Sequence, residues 1–275
     1  MQKNKSLARL FVVPFGLWAT IFIVLPLFFV LYSGLSDGAG HLTLANLSEI
    51  AAWEYAKSLL LSIGLALLST AVCLALAYPL VLILRRVRYG RGAWIFVLFL
   101  LPLWMNSLLT TMAWQTILET HGVLNTLLTA LGFSPVAWIN TPAAIVIGMV
   151  YNFLPYMVLP LYVSVTRIDP SVIDAARDLG ASFWQALRRV ILPLSMPGIV
   201  SGCTMVFIPA LTTFVISALL GGNKIMLIGN IIEQEFTAAY DWQIGSALSM
   251  VLMVFILLNL LLEVFSDSEG KGARQ

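Results

Sequence analysis

The sequence predicts an all-α fold, a polytopic membrane helix bundle with six transmembrane helices and one folded polar loop between the fourth and the fifth. Three observations carry that prediction. Of 275 residues, 60% are hydrophobic and only 10% charged, with a mean hydropathy of +0.95. Such a chain would be insoluble as a globular domain but is ordinary in lipid. Its apolar residues form six runs of membrane-spanning length, which takes roughly 20 residues at about 1.5 Å of rise each. Lys and Arg, finally, crowd into alternate loops.

In chain order the spans are expected at 10–35, 58–84, 92–118, 142–166, 194–220 and 244–262. None holds Lys, Arg, Asp or Glu in its interior, as the cost of placing an ionised side chain at mid-membrane requires. The basic stretch Met1 to Arg9 followed by an apolar run has the outline of a signal peptide. The run from Leu10 to Leu35 is too long for one and lacks an A-x-A site, so a retained first helix is expected. With no internal repeat and no low-complexity linker, residues 1–275 are expected to form a single transmembrane domain.

Thirteen of the 15 basic residues lie on one side of the spans: Lys3, Lys5 and Arg9; Arg85, Arg86, Arg88 and Arg91; Arg167, Arg177, Arg188 and Arg189; Lys271 and Arg274. The opposite loops hold only Lys57 and Lys224. The positive-inside rule then places both termini and the polar loop in the cytoplasm. The outer loops carry Asp37, Glu49, Glu54, Glu119, Glu233, Glu235 and Asp241, a surplus of negative charge that would favour a cationic solute at that mouth. The same surplus also follows from the mere exclusion of Lys and Arg from outer loops. His41 and His121 stand alone, and Cys73 and Cys203 sit inside apolar segments without partner spacing, so neither a metal site nor a disulfide framework is expected. The long, partly apolar loops 119–141 and 221–243 each suggest an interfacial helix or turn.

The polar loop specifies its own structure. Asp169 suits an N-cap, Pro170 the first helical position and Gly180 the left-handed residue past the end, giving a helix at about 171–179. On it Val172, Ala175, Ala176 and Leu179 share one face, with Asp174 and Asp178 on another. Ser182 and Gln185 make a capping box that starts a second helix, Arg188 and Arg189 fill its last turn, and Pro193 is expected to end it.

The run Asp174-Ala175-Ala176, three residues, Gly180, nine residues, Val190-Ile191-Leu192-Pro193 resembles the EAA loop, E-A-A-x3-G-x9-I-x-L-P, of permease subunits in ATP-binding-cassette importers. The spacing matches throughout. Asp174 stands for the family Glu, one methylene shorter, and Val190 for the family Ile. The stretches ARDLGAS, LPLSMPGI, LPLWMNSLL and MLIGNII extend the resemblance over nearly the whole chain to B-type permease subunits of spermidine/putrescine importers. The resemblance implies that 167–193 is a cytoplasmic coupling-helix loop that inserts into an ATPase through Asp174, Ala175, Ala176, Gly180, Leu192 and Pro193. It implies as partners a second permease subunit, two copies of an ABC ATPase that hold ATP and Mg, an extracytoplasmic solute-binding protein and membrane lipid, in a bacterial inner membrane. No cofactor or metal on this chain and no nucleic acid are expected.

Candidates for a substrate passage come from helical spacing. In the third span Asn106, Thr110 and Trp114 stand at i, i+4, i+8, with Ser107, Thr111 and Gln115 beside them, and this stripe either lines a wet passage or hydrogen-bonds to neighbouring helices. Trp104 either stacks on an organic cation or anchors an interface. The fourth span adds Tyr151, Asn152 and Tyr156 around Pro155, and the fifth adds Thr212 beyond a Gly198-x-x-x-Gly202 pattern suited to close helix approach.

Neither G-x-x-x-x-G-K-[ST] nor H-E-x-x-H nor G-x-S-x-G occurs, so the chain is not expected to hydrolyse ATP by that route or to be an enzyme. An importer of another small solute (an iron complex, sulfate, a phosphonate) would serve the same loop. A stand-alone secondary transporter would leave the folded loop without a purpose.

Overall fold

The computed structural model describes residues 13–86 and 91–272. Residues 10–12 of the first expected span, and Lys3, Lys5, Arg9, Arg88 and Arg274 among the orienting cations, lie outside the described residues.

The described elements are helices. They are α1 (Val13–Gly34), α2 (Ala45–Glu49), α3 (Trp53–Arg86), α4 (Arg91–Leu100), α5 (Ser107–Leu118), α6 (Val123–Ala130), α7 (Pro142–Thr166), α8 (Pro170–Asp178), α9 (Phe183–Thr212), α10 (Val215–Gly221), α11 (Ile228–Gln234) and α12 (Trp242–Gly272). Five helices are long and apolar enough to cross a membrane; Val97–Trp104 and Ser107–Ala130 make a sixth only as a pair bent by 104°. The loops 119–141 and 221–243 each contain a short helix, α6 and α11.

Two expected spans differ from the structure. The third, 92–118, is not one helix. A 3-10 turn at Leu101–Trp104 with Pro102 near its start leads into extended Met105 (ψ 147°) and Asn106 (ψ 123°). Asn106 gives the backbone an alternative to the helical ladder, because its side chain accepts from the N–H groups of Leu108 (2.9 Å) and Leu109 (3.3 Å) and so starts α5 afresh. The fifth span is displaced. Pro193 does not end a helix, and Arg188 and Arg189 do not occupy a last turn; α9 runs unbroken from Phe183 to Thr212. A π turn at Leu187–Ile191 widens the ladder just before Pro193, which accommodates the missing N–H and the ring. The helix breaks instead at Thr213, which is extended (ψ 139°).

The chain gathers into two compact units, the described residues of 1–56 with 231–255, and those of 57–230 with 256–275. In the first, Gly34 lies against the backbone of Ser246 and Ala247, Ser33 donates to the Trp242 carbonyl (3.4 Å), and Phe29 meets Trp242 edge to face. In the second, α3, α7 and α9 share a core of Cys73, Ala77, Val81, Met157, Val158, Leu161, Val165 and Val206. At Gly198 a Cβ would stand 2.8 Å from the Pro160 carbonyl oxygen, so only glycine lets α9 approach α7 this closely. The Tyr78 hydroxyl shares a 3.0 Å hydrogen bond with Ser195, tying α3 to α9, and Ser195 donates on to the Leu192 carbonyl.

Candidate coupling loop and passage

The loop between α7 and α9 is built by capping. Asp169 Oδ1 accepts from the Ser171 N–H at 2.9 Å. That bond to the Ser171 backbone, with a further contribution from its side chain, holds the Asp169 carboxyl below the usual range. At the other end of α8 the Gly180 N–H donates to the Arg177 carbonyl (2.8 Å) and the Ala181 N–H to that of Ala176 (3.0 Å), a Schellman closure. It requires the left-handed φ of +82° found at Gly180. Ser182 and Gln185 form the expected capping box, with the Ser182 N–H donating to Gln185 Oε1 (2.8 Å) and the Gln185 N–H to Ser182 Oγ (3.3 Å). From α3, Arg85 donates through Nη2 to the Ile168 carbonyl at 2.8 Å and anchors the start of the loop.

Fixed in shape, α8 is nevertheless uncovered. No residue of it is buried. Val172 is 44% exposed and Leu179, at its C-terminal boundary, 89%. Ala175 is exposed and Ala176 half-buried. Asp174 pairs with Arg177 at 3.8 Å on its own helix, both side chains more than half exposed. Behind α8, Leu82, Arg85, Ile173, Phe183 and Ile191 surround a cavity of about 240 Å³. A larger one of about 520 Å³ opens between the ends of α7 and α8 and the flank of α9, at Ser164, Arg167, Asp169, Leu194 and Ser201. Leu192 and Pro193 lie within α9, Leu192 being 37% exposed. The whole is a capped helix with a shallow, uncovered apolar face and two exposed acidic residues, Asp178 and, in a loose pair with Arg177, Asp174.

The passage candidates are brought together only in part. Trp114 on α5 meets Tyr151 on α7 edge to face, with centroids 5.3 Å apart. Thr110 is 5% exposed and its Oγ1 has no hydrogen-bond partner. Asn106 is used as a cap, Asn152 donates to the Gly148 carbonyl on its own helix (2.9 Å), and Thr212 likewise donates to the Ile208 carbonyl (3.1 Å). Trp104 is 86% exposed. Of the six stripe residues, Asn106 leaves the helix to cap it, while Ser107, Thr110, Thr111, Trp114 and Gln115 all lie on α5.

Among the acids of the loops expected to face outward, Glu235 accepts from the Tyr55 hydroxyl at 3.5 Å. Burial pushes its carboxyl up, Asp241 and Glu49 add to the effect, and the Tyr55 bond opposes it. No group of three or more His, Cys, Asp and Glu suited to a metal ion occurs among the described residues. Sequence reasoning met Ser217 only as a polar residue of the fifth span and Asn230 only within the stretch MLIGNII, and passed over Ser62; the hydrogen bonds of these three hold the break after α9. The one signal available was a lone Asn within the apolar run of residues 225–232.

Known proteins agree with this architecture. The chain is 35% identical over 263 residues to the spermidine/putrescine transport system permease protein PotB of Haemophilus influenzae, covering 93% of this chain and 92% of that protein. It is 38% identical over 252 residues to PotB of Escherichia coli K12, covering 89% and 92%. In fold it matches a chain in the crystal structure of a bacterial ABC transporter involved in the import of the acidic polysaccharide alginate, with a TM-score of 0.81 at 16% identity, over 99% of this chain and 98% of that one. Residues 7–268 match the family model of the binding-protein-dependent transport system inner membrane component, and the chain belongs to that family as a permease subunit of an ABC importer.

Proposed function

We propose that this chain forms one half of the membrane passage of a polyamine importer for spermidine and putrescine, driven by ATP that a separate subunit hydrolyses. The observation that carries the substrate is the identity of 35–38%, spread over 89–93% of the chain, to permeases named for those two solutes. The excess of acidic residues on the expected outer side is compatible with a cationic cargo and leans against an anion. By the distribution of Lys and Arg, both termini and the loop 167–193 face the cytoplasm.

In this reading α8 is the coupling helix. Its uncovered face of Val172, Ala175, Ala176 and Leu179 enters a cleft on the ATPase, Asp174 meets a basic group there, and Gly180 sets the sharp turn into α9. Closure of two ATPase copies around ATP and Mg moves α8. Because α9 runs on through Leu192 and Pro193 into the membrane, the movement reaches the passage as a rigid-body step. A second permease completes the passage, in which Trp104, Asn106, Thr110, Trp114, Tyr151, Asn152 and Thr212 are this chain's candidates, and a solute-binding protein delivers cargo at the outer face.

The test is uptake of labelled spermidine and putrescine into proteoliposomes holding this chain with its neighbouring permease, ATPase and binding protein. Accumulation that requires both ATP on the ATPase side and the binding protein is the expected result. Uptake of a different ligand of the binding protein, with polyamines ignored, would overturn the substrate while leaving the coupling scheme intact. Uptake that follows an ion gradient without ATP would overturn the scheme.

A further inference from the structure

The break after α9 is a constructed feature. Interrupting a helix in apolar surroundings exposes backbone groups that must find partners. Here the Phe214 carbonyl accepts from the Ala218 N–H within α10 (2.9 Å) and from the Ser217 hydroxyl (3.1 Å), and the Asn230 side chain, 7% exposed, ties that carbonyl to a different helix. Its amide nitrogen donates to the Phe214 carbonyl at 3.0 Å, and its Oδ1 accepts from the Leu227 N–H at 3.2 Å and from the Ser217 hydroxyl. Next to it the Ile228 N–H donates to Ser62 Oγ of α3 at 2.8 Å, and Ser62 donates to the Ser58 carbonyl. A Cβ on Gly229 would stand 2.8 Å from the carbonyl oxygens of both Thr212 and Thr213, so the segment before α11 lies directly against the broken end.

On its far side α10 is seated independently of α9, with Ile216 and Leu220 against Gly148 of α7. α9 itself runs for 30 residues, about 45 Å of helical rise, with Pro197 and Pro209 inside it. One end follows the loop of α8; its flank bears on Pro160 of α7 through Gly198. Were the helix continuous through 213–214, a tilt of α9 would carry α10 along. Were the break unclamped, the tilt would be absorbed by local unfolding. A clamped break does neither and concentrates the displacement at Thr212.

We propose that Asn230 is a positioning residue for transport: it fixes the break at Thr213–Phe214 so that movement of α9 is delivered to the passage at its Thr212 end. The inference rests on the ATP-driven reading above and extends it to a side chain outside the coupling loop and the passage.

The experiment is the same reconstituted complex, measuring spermidine and putrescine accumulated per ATP hydrolysed for wild type, Asn230→Ala, Asn230→Asp and Ser217→Ala. Asn230→Asp keeps the volume and the acceptors but loses the amide donor to Phe214. Both Asn230 variants are expected to retain subunit assembly and ATP hydrolysis within about twofold, while solute moved per ATP falls at least tenfold. Ser217→Ala, which removes one of the three bonds, is expected to lower the ratio by about two- to fourfold, and by nothing further when added to Asn230→Ala. A merely structural Asn230 would reduce the amount of complex and leave the ratio unchanged; that result, or failure of both Asn230 variants to assemble, overturns the proposal. A wild-type complex without ATP-dependent uptake would instead overturn the reading on which it rests.

Discussion

The loop at one end of α9 and the break at the other are built by opposite means. Around α8 the hydrogen bonds join near neighbours, Asp169 to Ser171, Gly180 to Arg177, Ala181 to Ala176 and Ser182 to Gln185, with Arg85 the distant exception. Around Thr213 they reach 16 residues, from Asn230 to Phe214, and 166, from Ile228 to Ser62. The first arrangement fixes the shape of a helix while leaving its apolar face in solvent, so the free energy of burial is still available to a partner. The second consumes its polar groups internally and leaves nothing to recognise. The docking role proposed for α8 and the clamped break can thus stand at opposite ends of α9 without competing for contacts.

The largest effect is expected where α9 bears on its neighbour. Gly198→Val would drive a Cβ onto the Pro160 carbonyl oxygen at 2.8 Å and onto the Ser164 side chain, where one obstacle is backbone and cannot swing aside. Overpacking of this kind costs about 1–3 kcal/mol. The purified complex is expected to melt several degrees lower and to be recovered in reduced yield. An unchanged Tm would mean that α9 is not pinned there and that loop and break do not share a rigid lever.

The loop itself should respond differently. Leu179 is 89% exposed, so Leu179→Gln is expected to leave the stability of this chain within about 0.5 kcal/mol, as surface substitutions do. If Leu179 is an anchor on the ATPase, the same change should weaken association of the two by about 2 kcal/mol, roughly 30-fold. Titrating ATPase onto the permease pair in nanodiscs, alongside thermal melting of the pair alone, separates the two quantities. A drop in melting without a loss of affinity would assign Leu179 to the fold and erase the contrast.

The same contrast explains what could be read from the sequence. Asp169, Gly180 and the Ser182–Gln185 box were legible because capping joins residues within a few positions, and their types are dictated by backbone geometry. The apolar runs were legible because lipid demands them. Pro193 was misplaced because its consequence depends on the ladder before it, and nothing local announces the π turn at Leu187–Ile191. Asn106 passed for a member of a stripe because helical spacing presumes the continuity that its own side chain interrupts. The role of Asn230 was hidden for a different reason. Its role depends on Phe214 and Ser217, with Ser62 supporting the adjacent residue, and only the assembled bundle brings them together. The Tyr78–Ser195 bond, spanning 117 residues, is of the same kind.

The smallest effect sharpens the assignment of Asp174. Its pairing with Arg177 spans 3.8 Å, three residues apart, with side chains 67% and 53% exposed. Exposed pairs of this geometry contribute only a few tenths of a kcal/mol and weaken with salt. Arg177→Ala is therefore expected to change ATPase affinity by less than about twofold, and by less still at high ionic strength. The carboxylate remains available for a partner and, released from Arg177, is freer to turn outward; any change is expected to be a slight gain in affinity, whereas Asp174→Lys should lower both affinity and uptake. Should Arg177→Ala instead cost tenfold, the Asp174–Arg177 pair would belong to the docking surface as a unit, and the loop would depend on a preformed ion pair as the break depends on Asn230.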